Sequence, residues 1–232
     1  MNKRDHEIIP LKLGMTHCYL IRGGADYVMV DAGPPNAFKK FRQKLEQQSI
    51  DPAKIKLIII THMHFDHVGS LPGICRLTGA KSAMHYLDRE LVEKGKIIMP
   101  GGIGAWGKVL TPFLWTIKPV VSRAIGPVPI DHGLDDKHFS LEGYRIHGKI
   151  IHTPGHTAGS VSLFLESGDA FVGDLAMSGF PRVTGPGPFV LGDDLEAMKR
   201  SWQLLLDEGA RQIYPAHGKP FDANVFIKYL NA

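Results

Sequence analysis

The chain has 232 residues, 44% of them hydrophobic, which is enough to bury the core of one large domain or two small ones. Its 27 Lys and Arg residues against 23 Asp and Glu residues give a net charge of +4 without basic clusters, which disfavours a nucleic-acid-binding protein. The two cysteines, Cys18 and Cys75, lie far apart and lack a redox or metal-binding spacing, so we expect two reduced thiols.

The N-terminal residues pass from charged side chains directly into an alternating pattern. This pattern lacks the apolar stretch and small-residue cleavage site of a signal peptide. No run reaches the ~18 apolar residues that a membrane span needs. The longest candidate, residues 105–121, is interrupted by lysines and prolines. We therefore expect a cytoplasmic protein without a transmembrane segment.

The first half of the chain alternates predicted strands and helices. A glycine pair separates its first two β-rich runs, which predicts a hairpin. The continuous apolar run that follows predicts a strand buried on both faces, with functional residues at its carboxyl end. The predicted elements are, in chain order, strands at 17–22 and 27–31, a helix at 36–48, a strand at 56–62, a helix from Val68 and a strand at 81–85.

The second half repeats this order after a segment of a different kind. Residues 95–130 are rich in Gly and Pro and also in large apolar residues, which indicates an insertion. The order of strands followed by helices occurs twice, and no linker separates the two occurrences. This order predicts one α/β domain over residues 1–232 with the helices outside. The predicted elements are a helix around 87–94, strands at 144–153, 160–166 and 169–174, a helix at 193–207, a strand at 212–216 and a helix near 222–230.

Residues 61–70, THMHFDHVGS, crowd three histidines and an aspartate into six positions: His62, His64, Asp66 and His67. The cluster begins where a buried strand ends, so it lies on a strand-to-helix loop. Neutral imidazole and carboxylate are the usual ligands of Zn²⁺ and its neighbours. Four such groups are too many for one tetrahedral ion that also keeps a reactive position. The pattern therefore indicates two ions that share the loop.

Three further candidate ligands lie in similar settings, each just beyond or at the end of an apolar run and flanked by Gly or Pro. They are His156 in HTPGHTAGS, Asp174 in FVGDLA and His217 in IYPAHGK. A lone loop histidine or aspartate is often ordinary. In combination with the first cluster, however, these three residues complete a set for a two-ion site.

Together these motifs resemble the metallo-β-lactamase superfamily of hydrolases, in its glyoxalase-II-like and lactonase-like branch, and the order and spacing match across nearly the whole chain. The resemblance implies an α/β fold, a four-layer αββα sandwich of two similar halves with the metals at one edge between the sheets. It also implies that Asp31, in VMVDAG, supports the site from outside the ligands. The implied ligand set is His62, His64 and His156 on the first ion, Asp66, His67 and His217 on the second, and Asp174 bridging.

The expected cofactor is a pair of divalent ions, with Zn²⁺ favoured over Fe or Mn. Such a pair would supply a bridging hydroxide at neutral pH, because the metals lower the pKa of water. The hydroxide would attack a carbonyl carbon, while Asp66 orients it and relays a proton to the departing atom. No G-x-S-x-G nucleophile motif is present.

Departures from related subfamilies narrow the expected substrate. A bridging Asp174 is typical of thioesterases, lactonases and phosphodiesterases, whereas the similar true β-lactamases carry Cys or Ser at that position. His64 disfavours the flavin-linked di-iron branch, which has Glu there. Met177 stands where lactonases often have Tyr, and the 15 residues after His217 leave no room for a glutathione-binding tail. We expect hydrolysis of a carboxylic ester, thioester or lactone with an apolar portion. A phosphodiesterase and a metal-retaining binding or sensor protein without turnover remain alternatives.

Two Gly/Pro-rich apolar segments, 95–130 and 178–194, are the candidate walls of a substrate pocket. Segment 95–130 could instead be a homodimer contact or, with less support, a membrane-surface element. The remaining histidines are expected to be structural or on the surface, with His17 and His152 the best candidates to line the site. The pocket candidates are Trp106, Phe113, Trp115, Met177, Phe180 and Arg182.

Overall fold

The structure is a computed structural model, and it describes residues 6–96, 101–103, 107, 109, 111–112, 116, 126–179 and 185–231. Five of the predicted pocket residues lie outside the described residues, and so does most of segment 95–130. The role of that segment therefore stays a prediction. The five residues are Trp106, Phe113, Trp115, Phe180 and Arg182.

The described strands form two sheets. The first contains, in spatial order, β1 (Ile8–Leu13), β2 (Thr16–Gly23), β3 (Asp26–Val30), β4 (Ile55–Ile59), β5 (Lys81–His85) and β6 (His132–Leu134). The second contains β13 (Phe221–Asp222), β12 (Gln212–His217), β10 (Asp169–Met177), β9 (Val161–Leu165), β8 (Gly148–His152) and β7 (Phe139–Ser140), with β11 (Gly187–Pro188) paired to β10.

Each sheet joins an antiparallel meander to parallel strands. Strands β1 to β3 pair antiparallel, and β3 to β6 pair parallel. In the second sheet β8, β9 and β10 pair antiparallel, and β10 pairs parallel with β12. Each half of the chain therefore has antiparallel strands followed by a parallel pairing, as expected for two similar halves.

The helices follow the strands in both halves. They are α1 (Phe38–Gln47), α2 (Phe65–Val68), α3 (Leu71–Thr78), α4 (Tyr86–Glu93), α5 (Leu195–Asp207) and α6 (Val225–Leu230), with 3₁₀ turns at Pro52–Lys54 and Glu142–Tyr144. No helix in the described part of the chain is long and apolar enough to span a membrane.

Strand alternation divides the core into three layers of apolar side chains. In β2, Tyr19 and Ile21 join the cluster between the two sheets, while Cys18 and Leu20 join the cluster beneath α1 and α3. Trp202 of α5 belongs to the third cluster, on the outer face of the second sheet. The order is helix, sheet, sheet, helix, so the predicted four-layer αββα sandwich is confirmed.

Strand β4 is buried on both faces, as its unbroken apolar run predicts. Leu57 and Ile59 face the cluster between the sheets, and Ile58 and Ile60 face the outer cluster. The strand leads directly to the histidine cluster. The core therefore holds the start of that loop firmly in place.

Some predicted boundaries are wrong, among them the starts of two elements. The strand predicted at 144–153 begins at Gly148, because the residues before it form the 3₁₀ turn Glu142–Tyr144. The helix predicted from Val68 corresponds to α3, which begins at Leu71, and the separate short α2 inside the histidine cluster ends at Val68. In both places a turn too short to show a hydrophobic period precedes the element.

Candidate metal centre

The histidine cluster turns inward at the carboxyl end of β4. His62 and His64 lie on the loop that follows the strand, and Asp66 and His67 lie in α2. All four side chains are buried, between 0% and 6% exposed. Burial of so many polar groups in one place requires partners that satisfy them.

Asp174 does not end its strand, as the predicted strand 169–174 would require, because β10 continues to Met177. The pairing of β10 with β12 shifts register on both sides of Gly173, which has a φ of +52°. A Cβ atom at Gly173 would lie 2.5 Å from Oγ1 of Thr61, so this position requires glycine. The irregularity lets the Asp174 carboxylate reach the histidine cluster.

A first group of side chains offers four ligand atoms within 4.8 Å of one another: those of His62, His64, His156 and Asp174. The three imidazole rings cross at 88°, 85° and 89°, with centroids 4.5 to 4.7 Å apart. Rings at such angles can each direct one nitrogen to a common point. The group can therefore hold one ion in a tetrahedral arrangement.

A second group contains Asp66, His67 and His217, whose ligand atoms also lie within 4.8 Å of one another. Oδ2 of Asp66 lies 3.1 Å from Nε2 of His217 and 3.7 Å from Nε2 of His67. His217 is the last residue of β12, so this strand and the helix α2 supply the group.

Asp174 lies between the two groups. Its Oδ2 is 3.6 Å from Nε2 of His156 and 3.9 Å from Nε2 of His62, in the first group. Its Oδ1 is 3.3 Å from Nε2 of His217 and 3.4 Å from Nε2 of His67, in the second. One carboxylate oxygen therefore faces each group.

Hydrogen bonds behind the rings fix which nitrogen faces the site. Nδ1 of His156 donates to the carbonyl oxygen of Leu191 at 2.9 Å, and Nδ1 of His67 donates to Oδ2 of Asp31 at 2.9 Å. In the neutral rings, Nε2 then carries the lone pair. Bonds of this kind are the usual way in which proteins orient metal-binding histidines.

Four buried polar atoms of the two groups have no hydrogen-bond partner: Nε2 of His62, His64 and His67, and Oδ1 of Asp174. Buried polar atoms without partners are rare and need an explanation such as an ion. The donor set of five imidazoles and two carboxylates suits Zn²⁺ and similar divalent ions. The residues present therefore fit a pair of divalent metal ions.

Burial keeps the first group in its neutral, ligand form. Burial lowers the pKa of His62 well below its usual value, and the neighbouring histidines lower it further. Burial also lowers the pKa of His64 to about 3, together with the charge of His156. Neutral imidazole is the form that binds metal, so these side chains need not release protons to do so.

In the second group the carboxylates dominate. Burial would lower the pKa of His217, but the Asp174 carboxylate beside it raises that pKa to about 10. Burial would raise the pKa of Asp66, but His67 and His217 lower it to about 2. The second group thus contains positive charge beside two ionised carboxylates. A divalent ion bound there would supply the same positive charge.

Asp31 lies behind the second group. It is 1% exposed, has a φ of +60°, and accepts hydrogen bonds from the backbone N–H and the hydroxyl of Thr61, both at 2.9 Å. With its bond to His67, it touches a ligand without belonging to either group. Asp31 therefore contacts one candidate ligand, and its role in supporting the site stays a prediction.

Two contacts were missed from the sequence. The hydroxyl of Thr16 donates to Oδ2 of Asp66 at 3.1 Å. The ring of Phe189 lies 5.2 Å from that of His156 and 5.3 Å from that of His217. Phe189 falls within the predicted wall 178–194, so the apolar run was a signal for it. Nothing in the sequence around Thr16 indicated its contact.

A third group, His85, Asp136 and His152, also brings ligand atoms within 4.8 Å. Its two rings are stacked, 4.0 Å apart at 9°. An ion bound by two imidazoles lies in the plane of both rings. The planes of parallel stacked rings do not meet, so this group does not fit a site in which both rings bind one ion. Nδ1 of His152 lies 2.9 Å from Asp136 and its Nε2 donates to Ala158 at 2.8 Å, so His152, predicted to line the site, is held in this cluster.

A cavity of about 290 Å³ lies between β1, β2 and β12. His17, predicted to line the site, forms part of its wall, as do Tyr19 and Tyr214. Gly218, the residue after the candidate ligand His217, also lines it. Met177 is fully buried in the cluster beneath α5 and exposes no surface to a substrate.

Curated proteins of known sequence are similar to this chain. The beta-lactamase-like protein 2 homolog of Drosophila melanogaster is 29% identical over 206 residues, which cover 88% of this chain and 58% of that protein. The hydroxyacylglutathione hydrolase GloC of Haemophilus influenzae is 26% identical over 189 residues, 76% of each chain. The chain spans 54% to 60% of the length of the first curated relatives that it matches.

Solved structures share the fold. A metallo-beta-lactamase family protein from Thermus thermophilus superposes with a TM-score of 0.70 over 97% of this chain and 78% of that one, at 18% sequence identity. A family model described as the metallo-beta-lactamase superfamily matches residues 11–217, from β1 to the candidate ligand His217. This chain therefore belongs to the metallo-β-lactamase superfamily.

Proposed function

We propose that the protein is a dinuclear metal-dependent hydrolase of a carboxylic ester, thioester or lactone with an apolar portion. The two groups of buried side chains would each hold one divalent ion, with Zn²⁺ the expected metal. The proposed ligands are His62, His64 and His156 for the first ion, Asp66, His67 and His217 for the second, and Asp174 for both.

The position of Asp174 carries the proposal. One of its oxygens faces each group, at 3.6 to 3.9 Å on one side and 3.3 to 3.4 Å on the other. A purely structural carboxylate would be saturated by well-aligned donors, whereas buried Oδ1 of Asp174 has only the Nε2 atoms of His217 and His67 near it, at 3.3 and 3.4 Å. A carboxylate shared by two ions accounts for both observations.

Divalent ions in such a site would supply a strong nucleophile from water at neutral pH and would polarise a carbonyl oxygen. The chain's own contribution is to hold the substrate and to move a proton. The Thr16 hydroxyl fixes Oδ2 of Asp66 beside His217. From there Asp66 would orient the nucleophile and later relay a proton to the departing atom, the role proposed for it as a catalytic residue.

The surroundings support a substrate with an apolar part. Phe189 packs beside His156 and His217, and the cavity that Gly218 lines, one residue after His217, is also lined by Tyr19 and Tyr214. Apolar walls with few polar groups are typical of sites that bind hydrophobic ligands. The relative GloC is named a hydroxyacylglutathione hydrolase, and an acyl group on the glutathione thiol is a thioester. Thioesters therefore rank first among the three bond types.

The test is a panel of chromogenic substrates offered to protein reconstituted with Zn²⁺: acyl thioesters, carboxylic esters, lactones and phosphodiesters, each with short and long apolar groups. We expect the highest kcat/KM on a thioester, ester or lactone, and higher values for the longer groups. Phosphodiester turnover alone would replace the proposal with a phosphodiesterase. Two bound ions with no turnover of any substrate would indicate a binding or sensor protein.

A further inference from the structure

A buried carboxylate connects the two loops that supply the histidines of the first group. Asp88 lies in the first turn of α4 and is 2% exposed. It was not singled out in the sequence, where it stands in an ordinary charged helix. It belongs to neither ligand group.

Both oxygens of Asp88 accept hydrogen bonds from the loops that carry candidate ligands, and the partners of Oδ2 stand next to those ligands. Oδ2 accepts the backbone N–H of Met63 at 2.9 Å and the hydroxyl of Thr157 at 2.8 Å. Oδ1 accepts the backbone N–H of Gly159 at 3.1 Å. Met63 stands between His62 and His64, and Thr157 directly follows His156. One carboxylate therefore joins two chain segments that are distant in sequence, at the point where they meet around the first group.

The fit around Asp88 is tight. A Cβ atom at Gly159 would lie 2.6 Å from Oδ1 and 2.7 Å from Cγ of Asp88, so any larger residue at 159 would push the loop away. The two loops meet directly where Nε2 of His156 lies 2.8 Å from Nδ1 of His64. A displacement of either loop would change this separation directly.

The arrangement behind the first group parallels that behind the second. Asp31 accepts two bonds from Thr61 and one from the ring of His67. Asp88 likewise accepts two backbone N–H groups and one hydroxyl, but it touches the backbone beside the ligands rather than a ligand ring. Each group thus has one buried carboxylate behind it.

We propose that Asp88 is a positioning residue that sets the separation of His64 and His156 and thereby the affinity of the first ion position. This inference rests on the proposed two-ion site. Without Asp88, two buried N–H groups and a hydroxyl lose their acceptor, and the loops are free to move apart to reach other partners. Loss of a group that orients metal ligands typically weakens metal binding by ~10–100-fold.

The test measures metal binding rather than turnover. Metal-free protein is titrated with Co²⁺, and the visible absorption and the heat of binding report two events. We expect Asp88→Ala to weaken one event by ~10–100-fold and to leave the other within about threefold. Asp88→Asn, which keeps one acceptor oxygen, should lie between. Asp31→Asn should weaken the other event instead.

A matched control is Asp131→Ala. Asp131 also accepts bonds from a backbone N–H and from side chains, those of Ser82 and Lys81, but at the amino end of β5, whereas Asp88 follows its carboxyl end. Both Co²⁺ events should remain unchanged in this variant. Far-UV circular dichroism of every variant identifies those that fold.

If Asp88→Ala does not fold, the pair Thr157→Val and Thr157→Ser makes the same test. Val keeps the shape but removes the hydroxyl bond to Asp88, and Ser restores it. We expect Val to weaken the same Co²⁺ event and Ser to rescue it. If the Asp88 and Thr157 variants fold and bind two ions as the wild type does, the proposed role of Asp88 is overturned and the two-ion site is not. A wild-type protein that binds fewer than two ions would overturn the proposed site itself.

Discussion

Removal of the Asp174 carboxylate should disable both ion positions at once. Its two oxygens face different groups, so Asp174→Ala takes one ligand atom from each. The change also leaves the Nε2 atoms of His67 and His217 facing one carboxylate, Asp66, where they now face two. Among the described candidate ligands, Asp174 is the one whose two oxygens divide between the groups.

The expected loss of metal affinity in Asp174→Ala follows from the loss of a buried charge partner. Removal of one member of a buried ion pair costs about 3–5 kcal/mol. Since each 1.4 kcal/mol is a factor of ten, metal affinity should fall by ~10²–10⁴-fold. Asp174→Asn keeps the volume and one acceptor oxygen, so its loss should be smaller.

The assay is competition for Zn²⁺ with a chromophoric chelator, with elemental analysis after dialysis. His138→Ala is the control, because His138 is 47% exposed and its Nε2 lies 3.9 Å from Glu208, away from both groups. We expect Asp174→Ala to retain less than one ion and His138→Ala to match the wild type. If the two variants retain metal equally, Asp174 does not bridge the site and the ligand assignment is wrong.

Three further changes test other parts of the structure. Phe189→Ala should raise KM for long-acyl substrates by ~10–100-fold while acetyl substrates change little, since burial of a phenyl ring contributes ~1.5–3 kcal/mol; an equal rise for both would remove Phe189 from the pocket. Gly173→Ala should lower the melting temperature and the metal content together, because its Cβ would lie 2.5 Å from Thr61 at a φ of +52°; an unchanged protein would refute the requirement for glycine. The hydrogen bond from Lys81 lowers the pKa of Asp131 from 3.8 to about 2, so this pair stabilises the fold above the ordinary pKa and the contribution disappears as pH falls towards 2. Urea midpoints of wild type and Lys81→Met should therefore differ at pH 6 and converge near pH 2, and a constant difference would contradict this.

The elements with long hydrophobic patterns were predictable from the sequence. Strand β4 is buried on both faces, which its unbroken apolar run shows. The amphipathic α1, Phe38–Gln47, lies within the predicted 36–48. The polar residues that follow such elements were therefore placed at the correct edge of the sheets.

Short elements and distant contacts were not predictable. Strand β6 has three residues and β7 has two, which is too short to show a period of two. Asp88 bonds to Gly159, 71 residues away, and no local pattern encodes that contact. The continuation of β10 past Asp174 depends on pairing with β12, whose register shifts at Gly173. Such features arise when segments meet in the folded chain.

The number of metal ions per chain tests the central claim most directly. Protein purified without chelator and dialysed against metal-free buffer should contain close to two equivalents of divalent metal, measured by plasma mass spectrometry against a quantitative amino-acid analysis. Two equivalents are expected because two separate groups of buried ligands share one carboxylate. A fully active, folded protein with one tightly bound ion, and no change in activity or spectrum when more metal is added, would contradict the account.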